Sequence, residues 1–215
     1  MTSTSFQIRI CNNPDCGLRY PLIKGSQFGE RCPVCLGKTT PIIEKPLPHE
    51  TIKEKKTPPT RSTSNVLLDN VRSGMNVGSI FRTADGFGFR HLYLCGITPG
   101  PDMDEVRKSA VGSEQYLEWS THKNAVELIG ILKSKEYKIW VLENSQNSID
   151  INSAISIVQK PKHIILVVGN EVTGVDPGIL EIADRIIHLP MRGHKRSFNV
   201  AIAFGIAAQI IHSWK

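Results

Sequence analysis

The chain has 215 residues, 40% hydrophobic and 21% charged, which is apolar enough to build a packed core and excludes a wholly disordered chain. Its net charge of +6 sits at one end: residues 1–62 carry ten Lys/Arg against five Asp/Glu, and residues 63–215 carry sixteen against fifteen. Such asymmetry suggests a polyanion partner near the N-terminus, with a plain solubility bias as the alternative. No run of eighteen apolar residues occurs, and Met1 to Ile8 has neither a basic start nor an apolar stretch. We expect no membrane span, no secretory leader and a cytoplasmic, thiol-reducing location.

Residues 1–45 hold four of the five cysteines and are too few to build a self-sufficient core. Cys11 and Cys16 form one close pair, Cys32 and Cys35 a second, fifteen residues further on. Two such pairs on hairpins bring four thiolates into one tetrahedron, the arrangement zinc prefers, and metal binding supplies the folding energy that a small segment lacks. Four cysteines close the coordination sphere, so the expected role is structural. Iron and disulfide pairing are the alternatives, the second disfavoured in a reducing compartment. Gly17 and Leu36-Gly37 follow the pairs and permit tight knuckle turns. Residues 46–62 are rich in proline and lysine and read as an extended linker.

From residue 63 the texture changes to alternating strands and helices. Strands are expected at Val66–Asp69, His91–Cys95, Tyr116–Trp119, Lys138–Leu142, His163–Val168 and Arg185–Leu189. Helices are expected at 77–87, 122–135, 177–183 and 198–213, with shorter turns near 104–110 and 151–157. Short apolar strands separated by helices imply an α/β domain with a mostly parallel sheet covered on both faces. The last helix is apolar nearly all round and is expected to be buried. Cys95 lies inside an apolar strand and reads as a small core residue.

Three segments of this domain carry its chemistry. Asn76 to Gly88 (Asn-Val-Gly-Ser-Ile-Phe-Arg-Thr-Ala-Asp-Gly-Phe-Gly) reads as a helix with Asn76 at its N-cap. Val77, Ile80, Phe81 and Ala84 share one face, and Arg82 points away from it. Spacing alone makes Arg82 a solvated surface charge. Ile164 to Gly174 is a buried strand entering a turn bounded by Gly169 and Gly174, with no Lys-Ser/Thr to make it a phosphate loop. Leu189 to Ala201 ends a strand and opens the last helix, with Ser197 placed to cap it. His188 has no partner visible in sequence and is not taken as a ligand.

In this order the three segments resemble the motifs of the SPOUT methyltransferases, in the SpoU/TrmH branch, over about residues 65–215. The resemblance implies a C-terminal trefoil knot that holds S-adenosylmethionine, a homodimer, and methylation of a ribose 2′-hydroxyl of tRNA or rRNA, with no DNA partner. It makes Arg82, Asn76, Ser197, Asn199 and Glu171 the catalytic set. It makes Leu142, Gly169, Asn170, Gly174, Ile187, Leu189, Met191 and Phe198 the cofactor set. Lys108, His194, Lys195 and Arg196 become RNA contacts. The sequence departs from the family pattern at Phe198, where leucine is commoner, and at Ala201, where serine is common. Alternatives are an inactive zinc-ribbon RNA-binding protein and a SPOUT enzyme that methylates a base. Keeping the five catalytic residues together argues against the first, and the Ser-Phe-Asn third motif against the second.

Overall fold

The computed structural model describes residues 5–26, 28–47 and 63–214, so most of the expected linker lies outside the described residues. The chain divides into two compact units, within residues 1–56 and 57–215.

In the first unit, β1 (Ser5–Cys11) is the central strand of an antiparallel sheet, flanked by β2 (Arg19–Ile23) and β3 (Thr39–Pro46). Among its described residues only Cys11 and Cys32 are buried. Three side chains fasten one exposed carboxylate, Glu44: Ser5, Gln7 and Lys24 each donate to it.

The second unit is a seven-stranded sheet in the order β6-β5-β4-β9-β7-β10-β8. Its strands are β4 (Ser64–Asp69), β5 (His91–Cys95), β6 (Glu118–His122), β7 (Lys138–Leu142), β8 (Ile149–Asp150), β9 (Ile164–Val168) and β10 (Arg185–His188). Every described pairing in it is parallel. The helices are α1 (Gly74–Gly86), α2 (Asp104–Ala110), α3 (Ala125–Ser134), α4 (Ile151–Ile157), α5 (Pro177–Ile182) and α6 (Val200–Ser213).

Strand residues alternate between faces, so each central strand feeds two cores. Val66, Leu68, Leu166, Val168 and Trp140 pack with α1, α2, α4 and α6. Leu67, Ile165, Val167, Ile139 and Val141 pack with α3 and α5 on the other side. Double coverage explains why these strands read as continuous apolar runs. Cys95 is fully buried in the second core, and burial, with Asp69 nearby, pushes its thiol up to about 12.

Several expectations need correction. The strand expected at Tyr116–Trp119 begins at Glu118 and runs to His122, because Ser113–Gln115 forms a single 3-10 turn first. The helix expected from 122 starts at Ala125, where Asn124 accepts from the Glu127 N–H. The turns expected at 104–110 and 151–157 are short α-helices, and the two-residue strand β8 is additional. Asn76 is not the cap of α1: Ser73 is, its hydroxyl accepting from the Asn76 N–H. Ser197 is not the cap of α6: Asn199 is, accepting from the Ala201 and Ile202 N–H groups. Helix α6 is not buried all round. Phe204, Ala207, Ala208 and Ile211 face the core, whereas Ile202 and Ile206 are 56% and 38% exposed.

Candidate active site

Open parallel sheets collect ligand sites at the carboxyl ends of their strands. Here a cavity of about 310 Å³ lies beyond the ends of β7, β9 and β10, against the start of α6. That is a volume suited to a small molecule. Leu142, Glu143 and Asn144 follow β7 into it, Val168 to Val172 follow β9, His188 and Leu189 end β10, and Met191 and Arg196 to Val200 come from the loop before α6.

The turn after β9 is closed on itself. Asn170 and Gly174 exchange backbone hydrogen bonds, and the Asn170 side chain accepts from the Val172 and Thr173 N–H groups. Glycine is required at both ends. A Cβ on Gly169 would stand 2.5 Å from the Gly174 backbone carbon, and one on Gly174, whose φ is +74°, would stand 2.7 Å from a Glu143 carboxylate oxygen. The turn is also anchored outward. The Asn170 amide donates to the Asn70 carbonyl, and Glu143 accepts from the Val175 N–H.

Glu171 links this turn to α1. Its carboxylate accepts from the Arg72 N–H at 3.0 Å, the Ser73 N–H at 3.2 Å and the Asn76 amide at 2.9 Å. Partial desolvation opposes its charge, but these hydrogen bonds outweigh it and hold the carboxyl below the usual carboxylate range. The Asn76 amide oxygen in turn accepts from the Asn199 amide at 3.0 Å. Glu171, Asn76 and Asn199, from three different elements, thus form one continuous relay, and the last also caps α6. Asn76 lies in the first turn of α1, three residues after the cap Ser73, and its side chain is taken up by Glu171 and Asn199.

Of the residues the sequence selected, Leu142, Gly169, Asn170, Glu171, Gly174, Leu189, Met191, Arg196, Ser197, Phe198 and Asn199 line the cavity. Ile187 does not. Its side chain is fully buried in the core, and its carbonyl accepts from the Glu143 N–H. Arg82, Lys108, His194 and Lys195 are exposed residues outside the cavity lining. Sequence reasoning missed Glu143, Asn144 and His188. All three lie at or just past the carboxyl ends of β7 and β10, a position that would have singled them out. Asn144 donates to the Arg196 carbonyl at 2.9 Å and so fastens the loop before α6.

In the first unit the sulfurs of Cys11, Cys16, Cys32 and Cys35 all lie within 4.8 Å of one another. Two of the separations are 3.4 Å (Cys11–Cys35) and 3.6 Å (Cys16–Cys32), and all four thiols are free. A tetrahedral zinc with ordinary Zn–S bonds needs sulfurs about 3.8 Å apart, so the donor set fits. Backbone N–H groups of Cys35 and Val34 point at the Cys32 sulfur and lower its thiol to about 7. The first knuckle turns at Gly17 (φ +55°), but in the second it is Leu36 (φ +58°), not Gly37, that adopts the left-handed conformation. Gly37 instead packs against sulfur: a Cβ there would stand 3.2 Å from that of Cys35.

A wholly parallel α/β unit with a small-molecule cavity at its strand ends, two of whose lining residues, Glu171 and Asn199, are joined through Asn76, is of the class that binds nucleotides or cofactors. Comparison with known proteins narrows it. Residues 63–209 match the SpoU rRNA Methylase family, and the chain belongs to it. It is 33% identical over 141 residues to the tRNA (guanosine(18)-2′-O)-methyltransferase of Aquifex aeolicus, covering 66% of this chain and 64% of that protein. It is 30% identical over 143 residues to the 23S rRNA (guanosine(2553)-2′-O)-methyltransferase RlmP of Bacillus subtilis, covering 66% of this chain and 54% of that one. The chain thus spans less than two thirds of the length of either relative. The crystal structure of an AdoMet-bound rRNA methyltransferase from Sinorhizobium meliloti superimposes with a TM-score of 0.64 at 27% identity, covering 72% of this chain and 57% of that one.

Proposed function

We propose that the chain transfers the methyl group of S-adenosylmethionine to a ribose 2′-hydroxyl of tRNA or rRNA. The observation that carries this reading is the Glu171–Asn76–Asn199 relay at the edge of the strand-end cavity, within a SpoU-family domain. S-Adenosylmethionine, when bound, supplies a methyl group on a good sulfonium leaving group. The protein's task is then to place the hydroxyl oxygen in line with that methyl and to ease the loss of the hydroxyl proton.

Leu142, Leu189, Met191 and Phe198 give the cavity apolar walls, and the backbone of Gly169, Asn170 and Gly174 lets a ligand approach closely. Ile187 serves this site through its backbone, by holding the strand end that leads to Glu143. Ser197 and Asn199 face the reacting groups, and Glu171 fixes Asn76. Arg82 offers a planar guanidinium fork suited to a phosphate. Its part is to pair with the phosphate beside the reacting ribose and to stabilise charge developing on the oxygen.

Within one chain Arg82 lies about 9 Å further along α1 than Asn76 and about a third of a turn round. A homodimer accounts for this. The outer faces of α1 and α6 present Met75 (61% exposed), Ile202 and Ile206, and a Cβ on Gly205 of α6 would stand 3.7 Å from the Thr83 methyl carbon. A second copy covering that apolar face would carry Arg82 toward the partner's cavity. The family trefoil knot would be formed by the segment around the cavity.

Lys108, His194, Lys195 and Arg196 contact RNA phosphates. The first unit binds Zn²⁺ through Cys11, Cys16, Cys32 and Cys35, and with its basic surface contributes RNA recognition. No helix among the described residues is long and apolar enough to cross a membrane, which is compatible with a cytoplasmic enzyme. The test is transfer of labelled methyl from S-adenosylmethionine to unmodified total RNA, separated by size. Label in one RNA size class, lost with Arg82→Ala, is expected. No transfer to any RNA by a protein that binds the cofactor would favour the inactive RNA-binding alternative.

A further inference from the structure

His188 carries an inference that follows from hydrogen-bond bookkeeping. Its Nδ1 lies 3.0 Å from the Ser148 hydroxyl. That hydroxyl also lies 2.6 Å from the Ser145 carbonyl oxygen and 3.2 Å from the Ser145 N–H. A carbonyl oxygen has no proton to give, so the single hydroxyl proton of Ser148 goes to Ser145. The Ser148 oxygen is then left with two lone pairs. One accepts from the Ser145 N–H, and the other must accept from His188. The proton of the neutral imidazole therefore sits on Nδ1, and Nε2 is left as an acceptor. Among the described residues Nε2 has no hydrogen-bond partner, and the ring lines the strand-end cavity.

Its place in the sheet says which part of a ligand it meets. The Asn76–Glu171 pair sits at the ends of β4 and β9, and His188 ends β10, two strands beyond β9. Neighbouring strands are about 4.8 Å apart, so His188 stands about 10 Å from the β9 turn across the cavity. That is on the scale of a nucleoside measured from its sugar to its base. The flanking Leu142 and Leu189 supply apolar walls for a flat ring.

We propose that His188 Nε2 accepts a hydrogen bond from the exocyclic amine of the cofactor's adenine, with Ser148 as the residue that fixes the ring's tautomer. This makes His188 a specificity determinant: it favours a 6-amino purine and faces a 6-oxo purine with two acceptors opposed. The inference rests on the methyltransferase reading, and the experiment separates the two. Binding of S-adenosylhomocysteine and of S-inosylhomocysteine, its 6-oxo counterpart, is measured by calorimetry at pH 8 on the full chain.

The wild type is expected to bind the inosyl compound about tenfold more weakly, the scale of one well-formed hydrogen bond. His188→Leu is expected to remove that preference, and His188→Gln, which keeps an acceptor, to restore part of it. Ser148→Ala is expected to reduce the preference with His188 still present, an effect that mere packing by the ring would not produce. Equal binding of the two compounds by the wild type, or a preference unchanged in His188→Leu, would overturn the role of His188 and leave the methyltransferase reading intact. Binding of neither compound by the wild type would overturn both.

Discussion

The two units hold their folds by different means. In the second, apolar side chains from a seven-stranded sheet and six helices fill two cores, one on each face. In the first, only two of the described side chains are buried, and both are cysteines: Cys11 at the end of β1 and Cys32 between β2 and β3. One fold is driven by area removed from water. The other has little such area, and its centre is a cluster of thiols that only a metal would hold together as thiolates. Packing alone accounts for the second unit, whereas the first has a cluster of four cysteines where a core would be, the place at which the proposed metal would hold it.

The sharpest way to break that contrast is metal removal. Chelation, or Cys32→Ser, is expected to abolish the structure of the first unit and leave the melting of the second unchanged, as followed by amide NMR dispersion and calorimetry. Loss of both units together would show that the contrast is false. If RNA affinity survives chelation, the first unit is not a recognition element.

Core deletion probes the other side of the comparison. Phe204 is fully buried and meets Phe89 edge to face, whereas Phe28 is 83% exposed. Phe204→Ala is expected to cost about 3–5 kcal/mol of unfolding free energy, and Phe28→Ala less than about 0.5 kcal/mol. Equal costs by denaturant unfolding would contradict the separation.

A smaller effect is expected at the cavity. Gly169→Ala places a methyl against the Gly174 backbone and should cost about 1–3 kcal/mol, with weaker cofactor binding in the same variant. The smallest concerns pH. Glu171 is held below its ordinary value of 4.5 in the folded protein, so its hydrogen bonds stabilise the fold above that value. This contribution is lost as pH falls through the lower folded value. Glu171→Gln should therefore flatten the acid limb of a Tm-against-pH curve below about pH 4.5 and leave its slope at neutral pH unchanged. An unaltered acid limb would show that the relay does not hold the charge.

Much of the second unit was legible because its signals are local. The apolar runs at 92–95, 138–142 and 164–168 are strands at nearly the expected bounds, since burial on both faces requires unbroken apolar sequence. The cysteine cluster was legible because spacing alone brings two pairs together. What could not be read was decided by tertiary partners. Asn76 and Ser197 satisfy the local rule for a helix cap, as do Ser73 and Asn199. Which of them caps is set by where each helix begins, at Gly74 and at Val200, and the Asn76 side chain is tied instead to Glu171, 95 residues away. Strand β8 is two residues long and exists because β10 is there to pair with it. Nothing in the chain near His188 announces Ser148, 40 residues earlier, which sets its proton.

The most direct test of the central claim is the chemical position of the transferred methyl. RNA labelled from S-adenosylmethionine by the wild-type chain would be digested to nucleosides and separated. The account predicts the label in a 2′-O-methylated nucleoside, with Asn76→Ala and Arg82→Ala greatly reducing it. Label on a base nitrogen or carbon would contradict it and make the relay part of a base-methylating site.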